Sequence, residues 1–242
     1  MNRHDDSRVK DLFSASVRDR TPAPVRHEVS VLYAPASSDG EVTSRCASVL
    51  SDGELERAGR FLTEASRAGF IQRRAFRRYC AASALGASQP LSQFDFKETE
   101  KGRPYLPDLP DLWFSFSACR LGFLGAWART SRIGVDIEDP ARPIEAADLA
   151  QRYFSRNEAI AVEAADERSR AWKFYQLWSL KEAALKSIGE GLPFGLDAFQ
   201  FELGAELRLV EAPADHGGPE RFTAHLIGEG DDCAALMIRN AG

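Results

Sequence analysis

The sequence predicts an α+β protein built from two structurally similar modules, and three observations predict it. The spacing S-x-x-E occurs at Ser51–Glu54 and again at Ser155–Glu158. In that pattern the serine side chain and the glutamate three residues on satisfy free backbone N–H groups at a helix start. Each cap leads into a long stretch with helical apolar spacing, and each long stretch into several short β-like runs. The layout of the first half thus returns in the second, with a junction near residues 129–133 and modules expected over 27–131 and 132–242.

Taken in order, residues 1–26 are polar, charged and punctuated by Pro22 and Pro24, with no sustained apolar repeat, and are expected to form a flexible N-terminal tail. Val29, Val31 and Tyr33 alternate with Ser30, Leu32 and Ala34 up to Pro35, which reads as a strand. Ala65 to Leu85 carries Phe70, Ala75, Phe76 and Tyr79 at helical spacing and ends at Gly86; with five arginines it is a basic helix. A short strand is expected over Phe94–Lys97. The prolines in Lys101–Pro107 then dictate turn and extended chain. Trp113–Ser117, Leu121–Ala128 and Arg132–Glu138 read as a meander of three strands. In the second half a long helix is expected from Arg170 to Ile188, followed by strands at 198–203, 206–210, 221–227 and 233–238.

Composition narrows the chemistry. With 242 residues, 44% hydrophobic and 28% charged, the chain has globular composition. No run approaches the ~20 apolar residues of a membrane span, and no apolar signal core opens the chain, so a cytoplasmic protein without membrane partner is expected. A net charge of -5 argues against a nucleic-acid partner, whose phosphates call for a surplus of Lys and Arg. The four cysteines form no C-x-x-C pair and the four histidines no H-x-x-x-H spacing. Zinc ribbons, disulfide frameworks and zinc hydrolysis are therefore unsupported, and any metal should be held by carboxylates. Phosphate-loop, dinucleotide and nucleophile-elbow motifs are absent.

Two segments carry candidate chemistry. In Ile133–Asp139, strand alternation puts Asp136 and Glu138 on one face and Val135 and Ile137 on the other. Two adjacent carboxylates repel, and a hard divalent cation relieves this, Mg²⁺ being typical where phosphates complete its shell. The plainer reading is a solvated strand end. In Phe174–Lys186, Trp178, Glu182 and Lys186 recur at steps of four along one helix side. A carboxylate one turn from an ammonium group supplies a metal ligand or base together with a phosphate-binding cation. Here the plainer reading is an ordinary ion pair worth about 0.2 to 0.5 kcal/mol.

Together, Gly134-Val-Asp-Ile-Glu138 and Trp178-Ser-Leu-Lys-Glu-Ala-Ala-Leu-Lys186 resemble the signature of the 4′-phosphopantetheinyl transferases of the larger, surfactin-synthetase-activating type. Gly102-Arg-Pro104, Leu106-Pro107, Phe114-Ser-Phe-Ser117 and Gly189-Glu-Gly-Leu192 extend the resemblance in order and spacing over roughly residues 28–240. It implies a monomer of two pseudo-twofold α+β halves with coenzyme A in the cleft between them. The implied reaction moves the phosphopantetheine arm of coenzyme A onto a serine of an acyl or peptidyl carrier protein, with Mg²⁺ as cofactor. By resemblance, Asp136, Glu138 and Glu182 are the metal ligands. Glu182 is expected to act as general base, directly or through a bound water, Asp136 is counted with it and Lys186 among the catalytic residues, and by resemblance Lys186 contacts the phosphates. Arg67, Arg74, Arg103, Ser117 and Lys181 complete the expected coenzyme contacts. The other reading from the same residues is a catalytically weakened coenzyme A or carrier-protein binding homologue; a magnesium-dependent nuclease is more distant, given the acidity.

Two positions depart from the family pattern, and at the first of them Ser115 stands in place of the family's asparagine. Where the family has Ser-His, the chain has Ser117-Ala118, and Ala118 offers no donor to the 3′-phosphate of coenzyme A. Weaker coenzyme binding is expected unless a neighbour such as Arg120 compensates.

Overall fold

The structure, a computed structural model, describes residues 3–86 and 89–240. It opens with helix α1 (Arg3–Ser16), where a loose tail was expected. Val9 and Phe13, one turn apart, are buried in the first module, and the Phe13 ring lies 5.7 Å from Phe76 and 5.2 Å from Tyr79. Only Val9, Leu12, Phe13 and Val17 carry this contact, a stripe too short to stand out among charged neighbours. The short strand β1 (Arg18–Asp19) then pairs with β2 (Val29–Pro35), so the described residues 3–26 belong largely to the first module.

Helices α2 (Gly40–Ala47), α3 (Asp52–Gly59) and α4 (Glu64–Leu85) follow. The Ser51–Glu54 capping box starts α3, and Thr63 caps α4. The expected strand at 94–97 is reduced to β3 (Lys97–Glu98), paired with β4 (Pro104–Tyr105). Strands β5 (Trp113–Ala118) and β6 (Gly122–Ala128) complete an antiparallel sheet ordered β1-β2-β6-β5, on which α4 packs through Phe76 and Cys80.

Strand β7 (Arg132–Glu138) does not continue the meander. It pairs over its full length with the last strand and so founds the second module. Helices α5 (Ala146–Tyr153), α6 (Arg156–Glu163, started by the Ser155–Glu158 box) and α7 (Glu167–Ile188) are followed by the hairpin β8 (Gln200–Leu203) and β9 (Leu207–Glu211). Strands β10 (Phe222–Leu226) and β11 (Cys233–Arg239) close a second antiparallel sheet, ordered β10-β11-β7. Each module is thus a long helix of 22 residues laid on an antiparallel sheet.

The modules meet through their strands. Val29, Val31, Leu124 and Ala126 of one sheet and Ile133, Val135, Leu236 and Ile238 of the other form a central apolar cluster. Side chains of β5 stitch the seam where no ladder forms: Trp113 Nε1 donates to Ile133 O at 2.7 Å, and Val135 N donates to Ser115 Oγ at 3.0 Å. A buried bidentate pair, Arg20 with Asp232 at 2.8 Å, ties the amino-terminal segment to the β10–β11 turn.

Candidate active site between the modules

The site begins with a missing side chain. A Cβ on Gly134 would stand 1.9 Å from Ala183 O and 2.7 Å from Ser187 N, so only glycine lets α7 lie this close to β7. The alternation of β7 that buries Ile133, Val135 and Ile137 in the central cluster turns Asp136 and Glu138 toward α7. From that helix Glu182 and Lys186 line a cleft between the modules, while Glu138 lines an adjoining cavity with Ala118, Arg120 and Arg142. Trp178, on the expected stripe, instead packs among Tyr153, Phe154 and Phe174.

Lys186 Nζ lies 2.6 Å from Asp136 Oδ1 and donates a second bond to Val135 O at 3.2 Å. Ser117 Oγ, at the end of β5, donates to the same Asp136 Oδ1 at 2.7 Å. Asp136 Oδ2, by contrast, is buried with no hydrogen-bond partner. Burial and the neighbouring Asp136 charge push Glu138 up to about 7, with Glu182 adding to the rise and Lys186 opposing it. Burial likewise raises Glu182; Lys186 opposes that shift and Asp136 adds to it. The three carboxylates therefore sense one another's charge. Among the described residues no three His, Cys, Asp or Glu side chains gather closely enough to hold a metal ion.

The cleft itself, about 200 Å³, is lined by basic and aromatic groups of the first module. The Arg103 guanidinium lies 4.0 Å from the Trp113 ring centre, and that of Arg77 5.2 Å from the Phe116 ring centre. Burial, then the charges of Arg74 and Arg73, pull Arg77 down to about 10, against Glu98. Lys101 and Glu190 form an ion pair that bridges the two modules across the cleft mouth.

The expected coenzyme contacts divide. Arg103, Ser117 and Lys186 stand at the site. Lys181 does not: it is wholly buried inside the second module, 2.7 Å from Glu158 and donating to Leu196 O and Phe199 O. An ammonium group with every donor committed inside a core has no reach to a ligand. Arg67 is half exposed beside Glu64 and does not line the cleft. Arg74 lies between Glu54 and Glu98, at 3.8 and 3.7 Å, also off the lining. Arg78 is buried against Glu54 at 2.6 Å. The basic helix instead presents Arg77, which five arginines in 12 residues could not single out, because they span more than one helix face. Lys101 and Glu190 were also not anticipated; both adjoin the Gly102-Arg-Pro104 and Gly189-Glu-Gly motifs, which was the available signal. Arg120, the expected compensator for Ala118, has Nε and a terminal nitrogen each 2.8 Å from Asp139 Oδ2.

Comparison with known proteins adds to this geometry. Residues 132–231 match the family model of the 4′-phosphopantetheinyl transferase superfamily. The chain is 31% identical over 188 residues to 4′-phosphopantetheinyl transferase ffp of Bacillus subtilis, covering 76% of this chain and 81% of that one. It is 36% identical over 126 residues to 4′-phosphopantetheinyl transferase Sfp of Bacillus subtilis (strain 168), covering 52% and 55%. Against 4′-phosphopantetheinyl transferase HetI of Nostoc sp. it is 29% identical over 168 residues, covering 68% and 70%.

Proposed function

Because this chain belongs to the 4′-phosphopantetheinyl transferase superfamily, we propose that it transfers the phosphopantetheine arm of coenzyme A to a serine of an apo acyl or peptidyl carrier protein. The reaction is Mg²⁺-dependent and releases adenosine 3′,5′-bisphosphate. The observation that carries this reading is the meeting of Asp136, Glu138, Glu182 and Lys186 beside a cleft lined with arginines.

The donor set suits the metal. A buried carboxylate oxygen without a donor, Asp136 Oδ2, and two neighbours whose charges are mutually unfavourable call for a hard cation with oxygen ligands. Asp136, Glu138 and Glu182 are the residues that would hold Mg²⁺, which would supply neutralisation of the charge on the diphosphate.

The protein's own groups do the rest. Lys186 has two of its three N–H donors engaged by Asp136 and Val135, which leaves the third for a phosphate oxygen. Asp136 is thus both ligand and positioner. The guanidinium groups of Arg103 and Arg77, held against Trp113 and Phe116, offer planar forks to the coenzyme's phosphates. Glu182 takes the proton of the carrier serine, directly or through water; the serine oxygen bonds to the pantetheine-bearing phosphorus, and the bond to the nucleotide phosphate breaks. The cleft is complete within one chain, so a monomer suffices.

The test is to mix the protein with coenzyme A, Mg²⁺ and several apo carrier proteins and weigh the products by mass spectrometry. Wild type adds one phosphopantetheine to at least one carrier, and Glu182→Gln adds none. A fully active Glu182→Gln removes Glu182 from the base and ligand roles.

A further inference from the structure

A second cavity, about 500 Å³, lies where the linker between the modules meets the end of the last sheet. Its walls carry Arg129 and Arg132 from the linker and the start of β7, Arg221 from the turn just before β10, and Arg239 from the end of β11. We propose that this cavity is a binding site for a small, multiply charged phosphate oxyanion, distinct from the inter-module cleft.

Four arginines line one concavity in a chain of net charge -5, the Arg132 guanidinium lying 5.2 Å from the Trp113 ring centre. Among the described residues none of the four forms an ion pair. Arg221 donates only to Asn240 O, at 3.1 Å, and Asp111 is the single carboxylate residue on the lining. Burial, then the charges of Arg132 and Arg221, pull Arg239 below the usual arginine value, against Asp215. Such mutual repulsion is relieved by an anion with several oxygens, to which the fork of each guanidinium is matched. Thr130 and Ser131 add neutral donors on the same wall. The concave shape favours a compact ligand over the face of a protein or a nucleic acid.

The site is separate from the catalytic carboxylates. Arg132 opens β7 and Asp136 lies four residues along it, roughly 13 Å at the strand's rise per residue. Trp113 is the shared wall: it lines the second cavity and carries Arg103 of the cleft on its ring.

The experiment is calorimetric titration of the full chain with inorganic pyrophosphate, free of divalent cations. Wild type and Arg103→Gln/Lys186→Gln are both expected to retain uptake at the second cavity. Arg221→Gln/Arg239→Gln should weaken that uptake tenfold or more. Arg129→Gln/Arg132→Gln, at exposed positions, should do the same and guards against a folding defect in the first pair. In a parallel arm on the Arg103→Gln/Lys186→Gln variant, whose cleft is weakened for nucleotide, adenosine 3′,5′-bisphosphate binding no tighter than pyrophosphate identifies a free oxyanion as the ligand, and tenfold tighter binding a nucleotide phosphate. Uptake that vanishes in Arg103→Gln/Lys186→Gln while surviving in both cavity variants overturns the proposal.

Discussion

Replacing Gly134 by alanine tests how the site is assembled without touching any group that does chemistry. The new Cβ would sit 1.9 Å from Ala183 O and 2.7 Å from Ser187 N, both backbone atoms that cannot rotate away. Relief to an ordinary contact of 3.4 Å requires β7 and α7 to part by about 1.5 Å. Glu182 and Lys186 adjoin the two struck residues and move with them, opening the 2.6 Å Lys186–Asp136 contact to about 4 Å, beyond hydrogen-bond range. A displacement of ~1 Å in a catalytic constellation costs about 100-fold in rate. Overpacking costs about 1 to 3 kcal/mol, and at 2–4 °C per kcal/mol for a domain of this size the melting temperature falls by roughly 2–12 °C. The assays are the rate of mass gain on a carrier protein and thermal unfolding by circular dichroism. Gly69→Ala in α4, where an added Cβ meets nothing within 4 Å, is the control and should gain up to about 1 kcal/mol. If Gly134→Ala matched wild type in both rate and melting temperature, close apposition of β7 and α7 would not be what builds the site.

Lys181→Met should leave Glu158 buried without its cation and cost about 3–5 kcal/mol, with KM for coenzyme A unchanged in whatever folds; a raised KM at wild-type stability would return Lys181 to the coenzyme. For Glu54, burial alone raises the pKa, but the hydrogen bonds and charge of Arg78, with Ser51 and Arg74, outweigh it and hold the carboxyl below its ordinary 4.5. The folded value is depressed, so this contribution to stability is full above about 4.5 and lost as pH falls through the folded value. Glu54→Gln should therefore flatten the acid limb of a melting-temperature profile, and an unchanged limb would count against the pair. With Ala118 offering no donor and Arg120 engaged by Asp139, the 3′-phosphate should matter little, and dephospho-coenzyme A should serve within about tenfold of coenzyme A. A far poorer dephospho donor would show that another group reads that phosphate.

Much of the architecture was legible because it is local. Two capping boxes marked α3 and α6, Gly86 ended α4, and alternation in Val29–Tyr33 and Arg132–Glu138 gave β2 and β7. The faces of Asp136 and Glu138, and the turn separating Glu182 from Lys186, followed from strand and helix periods alone. Helix α1 was missed because its burial is decided by Phe76 and Tyr79, more than sixty residues away. The exchange of Arg67 and Arg74 for Arg77, and the withdrawal of Lys181 into a core with Glu158, likewise depended on which helix face meets a neighbour. Which residue types recur at which period is written in the chain; which of them share a cleft follows only from how the two modules pack. The reason is physical: hydrogen bonding within a turn or strand acts over a few residues, whereas burial and charge pairing act between surfaces that only the folded chain brings together.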